Sequence, residues 1–141
     1  MVGSKQHRQL KITCEAVAHA GNAALHWAWD DYLGAALAVF PASDSAKVRA
    51  LLDRALPWSY DAKTAASASP AIAELAESLG GLRTGQLLFA SDQEHGALVY
   101  GAWWPWGDGK KVSLRVGAAC VDGAETEAEE LNKELRGWFG I

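Results

Sequence analysis

The sequence predicts an α+β fold: a mainly antiparallel sheet of about six strands with about three helices packed on it. Three observations carry that prediction. Apolar and polar residues alternate on both sides of Asp108-Gly109, the pattern of two strands meeting at a tight turn. The stretches 43–56, 69–81 and 124–141 repeat apolar residues at helical spacing between start and stop residues. Residues 10–16 and 25–39 alternate with period two, as half-buried strands do. Half of the 141 residues are hydrophobic, so one domain (1–141) with a sizeable core is expected.

In chain order, Leu10, Ile12, Cys14 and Ala16 alternate with Lys11, Thr13 and Glu15, which reads as a strand, and Ala20-Gly21-Asn22 as a turn. Residues 23–40 fit two strands with a bend at Asp30-Asp31. Trp27-Ala28-Trp29 alternates, and Gly34 would weaken the competing helix. Pro41 stops this element. Ser43 or Asp44 then caps a helix to about Leu56, with Val48, Leu51, Leu52 and Ala55 inward, and Pro57 ends it. Residues 57–69 read as a low-complexity connection. Ser69-Pro70 opens the next helix, Ile72, Leu75, Ala76 and Leu79 form its stripe, and Gly80-Gly81 closes it. Gln86–Ser91 is a strand and Asp92–Gly96 a turn. The last helix starts near Ala124, with Thr126 and Glu129 as a capping box, and buries Leu131, Leu135, Trp138 and Phe139.

The hairpin is the most informative stretch, because it holds three of the seven tryptophans within four residues. A two- or four-residue loop sets Trp106 opposite Lys111, Trp104 opposite Ser113 and Ala102 opposite Arg115. Val99, Gly101, Trp103 and Pro105, with Val112, Leu114, Val116 and Ala118, then form an apolar core face. Tyr100, Ala102, Trp104 and Trp106 lie on the other face beside Lys111, Ser113 and Arg115. Pro105, lacking an N–H, suits an edge strand. Residues 10–56 and 86–141 both read as three strands and a helix, which suggests a degenerate repeat joined by a 57–85 connection.

Composition and motifs exclude more than they assign. The net charge is −4, with the basic excess of residues 1–70 outweighed by the acidic excess of 71–141, so no nucleic acid partner is expected. No apolar run approaches ~18 residues, so no membrane partner is expected, and the polar first ten residues suggest a cytoplasmic protein. Cys14 and Cys120 read as two buried thiols. No phosphate loop, dinucleotide fingerprint or nucleophile elbow occurs. Cys14, His19 and His26 have no zinc spacing, so neither metal nor cofactor is expected, and no catalytic residue is assigned.

Two functions fit. The first is a non-catalytic protein that binds a protein partner, or a second copy of itself, through Tyr100, Trp104, Trp106, Lys111 and Arg115. Trp, Tyr and Arg dominate binding hot spots, and an inhibitor, a neutraliser or an adaptor would use such a face. The second is a small-molecule binder or enzyme whose two tryptophan clusters share one pocket, with His26, Trp27, Trp29, Asp31 and His95 around the ligand. A third reading makes the hairpin aromatics core under a helix. Whether Trp104 and Trp106 share a concavity with Trp27 or Trp29, or stand on an open sheet face, separates these readings.

Overall fold

A computed structural model of the chain describes residues 4–20, 25–91, 97–120 and 125–141, with the side chains of 8–19, 25–91, 98–119 and 131–141. The elements are α1 (Ser4–Ala20), β1 (Ala28–Asp30), β2 (Ala35–Pro41), α2 (Ser45–Ala55), β3 (Trp58–Tyr60), α3 (Ala62–Ala66), α4 (Pro70–Ser78), β4 (Leu87–Ala90), β5 (Ala97–Pro105), β6 (Lys111–Cys120) and α5 (Glu125–Phe139). The strands form one sheet in the order β1-β2-β6-β5-β4-β3, and every neighbouring pair is antiparallel. The α+β class and the six-stranded antiparallel sheet are those the sequence predicts. Among the described residues, five α-helices accompany the sheet instead of about three.

One face of the sheet carries the larger core. Ala36, Ala38 and Phe40 of β2, Val99 and Trp103 of β5, and Val112, Leu114 and Val116 of β6 point into it. Val48 and Leu52 of α2, Leu10, Cys14 and Val17 of α1, and Leu131, Leu135 and Phe139 of α5 close over them. Trp103 is held by edge-on contact with the Phe40 ring at 5.3 Å, a favoured geometry for aromatic quadrupoles. The hairpin register is the predicted one, with Trp104 opposite Ser113 and Ala102 opposite Arg115. The loop is the four-residue alternative: Trp106 N–H donates to Lys111 O at 2.9 Å, and Gly109 takes φ +71° inside it.

Helices also pack on the opposite face, not on one side only. Ala65 of α3 with Ile72, Leu75 and Ala76 of α4 pack on Leu88 and Ala90 of β4 and on Leu98, Tyr100 and Ala102 of β5. The Asp61 carboxylate starts α3 by accepting from the N–H groups of Thr64 and Lys63, while Thr64 Oγ1 accepts from Asp61 N–H. The Thr64 N–H, more than any other contact, pulls the Asp61 carboxyl below its ordinary range. This second layer covers only the β3–β5 side of the sheet. Leu37 is half-buried and Val39 exposed, and neither joins a core cluster.

Several expectations need correction. Residues 10–16 belong to helix α1, not to a strand. Leu10, Cys14, Val17 and Ala18 recur at helical spacing and are buried, whereas Ile12 and Ala16, which the alternation would also bury, are exposed. Residues 10–56 therefore read helix, strand, strand, helix, and do not repeat the layout of 86–141. The 57–69 connection contains β3 and α3. Neither Ser43 nor Asp44 caps α2 through its side chain; a 3-10 turn over Ala42–Asp44 leads into it instead. Strand β5 is interior rather than at an edge. Pro105 is tolerated there because Trp106 N–H bonds β6, which turns the position of the missing Pro105 N–H toward β4, and β4 begins opposite Trp103. Thr126 already lies within α5, and the side chains of 121–130, the turn 92–96 and most of Ala20-Gly21-Asn22 fall outside what is described.

Candidate binding face

The antiparallel register sets the second face out in rows. Pro41, Lys111 and Trp106 lie side by side, then Val39, Ser113 and Trp104, then Ala28, Leu37, Arg115 and Ala102, then Asp30, Ala35, Gly117 and Tyr100. With strands about 4.8 Å apart, each row brings side chains from three or four strands within reach of one another. All five residues expected to bind a protein partner, Tyr100, Trp104, Trp106, Lys111 and Arg115, therefore stand on one face.

Their surroundings fix them in place. Arg115 Nε donates to Asp30 Oδ2 at 2.8 Å, and its guanidinium lies 4.9 Å from the centre of the Trp104 ring. Both partners of the ion pair are largely buried, which strengthens it beyond a surface pair. Trp106 Nε1 donates to Ser113 Oγ at 2.8 Å, and Lys111 Nζ stands 5.3 Å from its ring centre. Each cation thus sits over the electron-rich face of an indole. Tyr100 is buried, and its phenol crosses Gly117, where a Cβ would come 2.6 Å from the hydroxyl. Burial pushes the Tyr100 phenol up to about 12, the Asp30 carboxylate adds to the push, and Arg115 offsets part of it.

Exposure divides the face in two. Trp104 is half-buried against the α3–α4 cluster, and its Nε1 is buried without a hydrogen-bond partner. Trp106 is 43% exposed and Val39 40% exposed. The hairpin aromatics are thus split between core and surface. Tyr100 and the inner part of Trp104 are covered by α3 and α4, while Trp106, Lys111 and Val39, with half-buried Leu37 beside them, form a strip that no other described element covers.

The other candidates do not converge on this face. Trp29 faces the main core and lies under the Arg136 guanidinium at 5.2 Å, and Trp27 packs edge-on against Phe139 at 4.7 Å. Trp27 and Trp29 therefore lie on the main-core side together with Trp103, while Trp104 and Trp106 stand on the other face, so these two groups do not share one pocket. His26 and Asp31 are exposed, before β1 and in the turn after it, and His95 lies outside the described residues. Cys14 is fully buried and burial pushes its thiol up to about 12, far from the exposed thiolate that nucleophilic chemistry needs. Among the described residues, no group of three His, Cys, Asp or Glu side chains is placed to hold a metal ion, and no helix is long and apolar enough to cross a membrane.

Sequence reasoning did not select Asp30, Leu37 or Val39 for the site. Asp30 was read as part of a bend, and its pairing with Arg115 depends on β2 lying between β1 and β6, a long-range fact no local pattern carries. Leu37 and Val39 alternate like core residues; the partial cover by α3 and α4 leaves Val39 at the surface and Leu37 half-buried. The chain matches no protein-family model, and neither curated proteins nor solved structures gave a match, so its geometry is the basis for a functional reading.

Proposed function

We propose that this chain is a non-catalytic binding protein that grips a protein partner through the uncovered strip of Trp106, Lys111, Val39 and Leu37, with Trp104 and Arg115 behind it. One observation carries the reading: α3 and α4 cover the β3–β5 side of the sheet and leave apolar side chains of β2 and the hairpin exposed. The strip is also preorganised. Trp106 is fixed by Ser113 and Lys111, and Arg115 by Asp30, so docking would freeze few side-chain rotors. Exposed Lys110 and Lys111 at the hairpin favour a partner segment that carries carboxylates beside an apolar anchor.

Co-purification tests this. Tagged wild type, a Trp106→Ala/Val39→Asp double variant and a Trp58→Ala variant are each recovered from lysate of the source cells. The reading expects one stoichiometric protein with wild type and Trp58→Ala that disappears with the double variant. Retention of that protein by the double variant would refute it. A second copy of the chain is the alternative occupant, and concentration-dependent dimerisation abolished by the same double variant would identify it.

A further inference from the structure

Arg115 is anchored at one edge and one face of its guanidinium plane. Nε donates to Asp30 Oδ2 at 2.8 Å, and the plane lies 4.9 Å from the centre of the Trp104 ring. The described residues give Nη1 and Nη2 no hydrogen bond. Neither atom is sealed: among the described residues, the buried side-chain nitrogens and oxygens without a partner are Trp27 Nε1 and Trp104 Nε1. The fork formed by Nη1 and Nη2 therefore opens on solvent, in an orientation the fold has already fixed. A largely buried guanidinium is costly to desolvate unless its N–H groups are used, and here the edge suited to bidentate bonding is left unused.

The Tyr100 hydroxyl is a second open donor. Tyr100 as a whole is buried, yet its Oη makes no hydrogen bond to a described residue and is not one of the sealed atoms. It crosses Gly117, which follows Arg115 by two residues on the same face of β6, about 7 Å along the strand. Lys111 lies on the same face of β6 in the other direction, about 13 Å from Arg115. Val39 pairs with Ser113, midway between the two cations. The strip thus reads cation, apolar side chain, cation, with the extra O–H at the Arg115 end.

We infer that the Arg115 fork receives a side-chain carboxylate of the protein partner, with the Tyr100 hydroxyl as an additional donor; this rests on the binding reading of the same face. Two parallel N–H groups match the two oxygens of a carboxylate, which a lysine in that place would not. Asp30 is the positioning residue, because it occupies Nε and turns the free edge outward. An extended segment sets side chains on one side at every second residue. Acids at its first and fifth positions then meet Lys111 and Arg115, and an apolar third residue meets Val39. Side chains fit this pattern better than a chain terminus, because both ends of the strip are cationic.

The test is heteronuclear NMR of the full chain titrated to millimolar concentration with the peptide acetyl-Glu-Ser-Leu-Ser-Glu-amide. The expected result is a saturating shift of the Arg115 Nε–H signal together with the Val39 and Lys111 amides. Glutamine in place of both glutamates weakens binding roughly tenfold or more, and Arg115→Lys, which keeps the charge and loses the fork, weakens it roughly tenfold. Tyr100→Phe weakens it about threefold, the loss of one neutral hydrogen bond. Circular dichroism checks that Arg115→Lys is folded; should it not fold, the two peptides on wild type, read at the Arg115 signal, decide. No binding, shifts confined to Lys110 and Lys111, or equal binding of the glutamine peptide, with its C-terminus amidated or free, would each overturn the inference. The strip reading fails separately, when the Trp106→Ala/Val39→Asp variant keeps its co-purified protein. A protein lost with that double variant but retained undiminished by Arg115→Lys would overturn the carboxylate site alone.

Discussion

Gly117→Ala is the sharpest test of how the binding face is built. Gly117 lies in β6 beside Tyr100, and a Cβ there would come 2.6, 2.7 and 2.8 Å from Oη, Cζ and Cε1 of that ring. Contacts under 3 Å force movement, and the atoms in the way belong to a rigid, buried phenol, not to the end of a flexible chain. Overpacking of this kind costs about 1–3 kcal/mol. Alanine in place of strand glycine returns about 0.5–1 kcal/mol through backbone entropy. The expected net loss is about 0.5–2 kcal/mol, which for a chain of this size lowers Tm by about 2–8 °C. Urea unfolding followed by tryptophan fluorescence gives the value, with the slope unchanged if only the native state is affected. Tyr100→Leu removes the colliding atoms, so the double variant should lose about 1 kcal/mol less than the sum of the singles. A stabilised Gly117→Ala, or strict additivity with Tyr100→Leu, would refute the packing of Tyr100 across Gly117.

Three further predictions concern the same face. Trp106→Phe should remove a red-shifted emission component that acrylamide quenches strongly, whereas Trp104→Phe should remove a blue-shifted, protected one; equal quenching of both would contradict the split between strip and core. Asp30→Asn leaves Arg115 facing a neutral amide at a largely buried site, and should cost about 1–3 kcal/mol, between exposed and fully buried pairs, read from the urea midpoint. Tyr100 is held at about 12 in the folded chain against an ordinary 10. The folded state therefore keeps a proton that the unfolded state releases, and stability falls by about 1.4 kcal/mol per pH unit between pH 10 and 12. Tyr100→Phe should abolish that slope and remove the highest-pH tyrosinate step at 295 nm. A step lost near pH 10 instead would mean the phenol is solvated.

The sequence analysis reached furthest where one local pattern had one meaning. The hairpin register followed from a turn and two alternating flanks, because a one-residue slip would have put Lys111 and Arg115 into the core. Helix α4 was bounded by Ser69-Pro70 and Gly80-Gly81, and the structure closes it with Gly81 N–H on Ala76 O and Gly80 N–H on Glu77 O. Leu10, Ile12, Cys14 and Ala16 satisfied a strand period, while Leu10, Cys14, Val17 and Ala18 satisfied a helical one. Tertiary packing chose the second by burying Cys14 and Val17 against α5 and leaving Ile12 in solvent. Trp58 and Tyr60 form a strand because β4 has an edge to pair with, a condition absent from their own segment. The candidate face was legible on the hairpin and not on its neighbours. The roles of Asp30, Leu37 and Val39 depend on which strands adjoin β6 and on how far α4 reaches, and both are long-range outcomes of topology.

Photo-crosslinking from Val39 tests the central claim most directly. A benzophenone side chain replaces Val39, which is 40% exposed at the middle of the strip, and in a matched protein it replaces exposed Ala50 on α2. Both proteins are irradiated in the source cells. A binding face on this strip predicts one discrete heavier adduct from position 39 that is absent from position 50 and lost when Trp106→Ala is added. No adduct from position 39, or the same adducts from both positions, would contradict it.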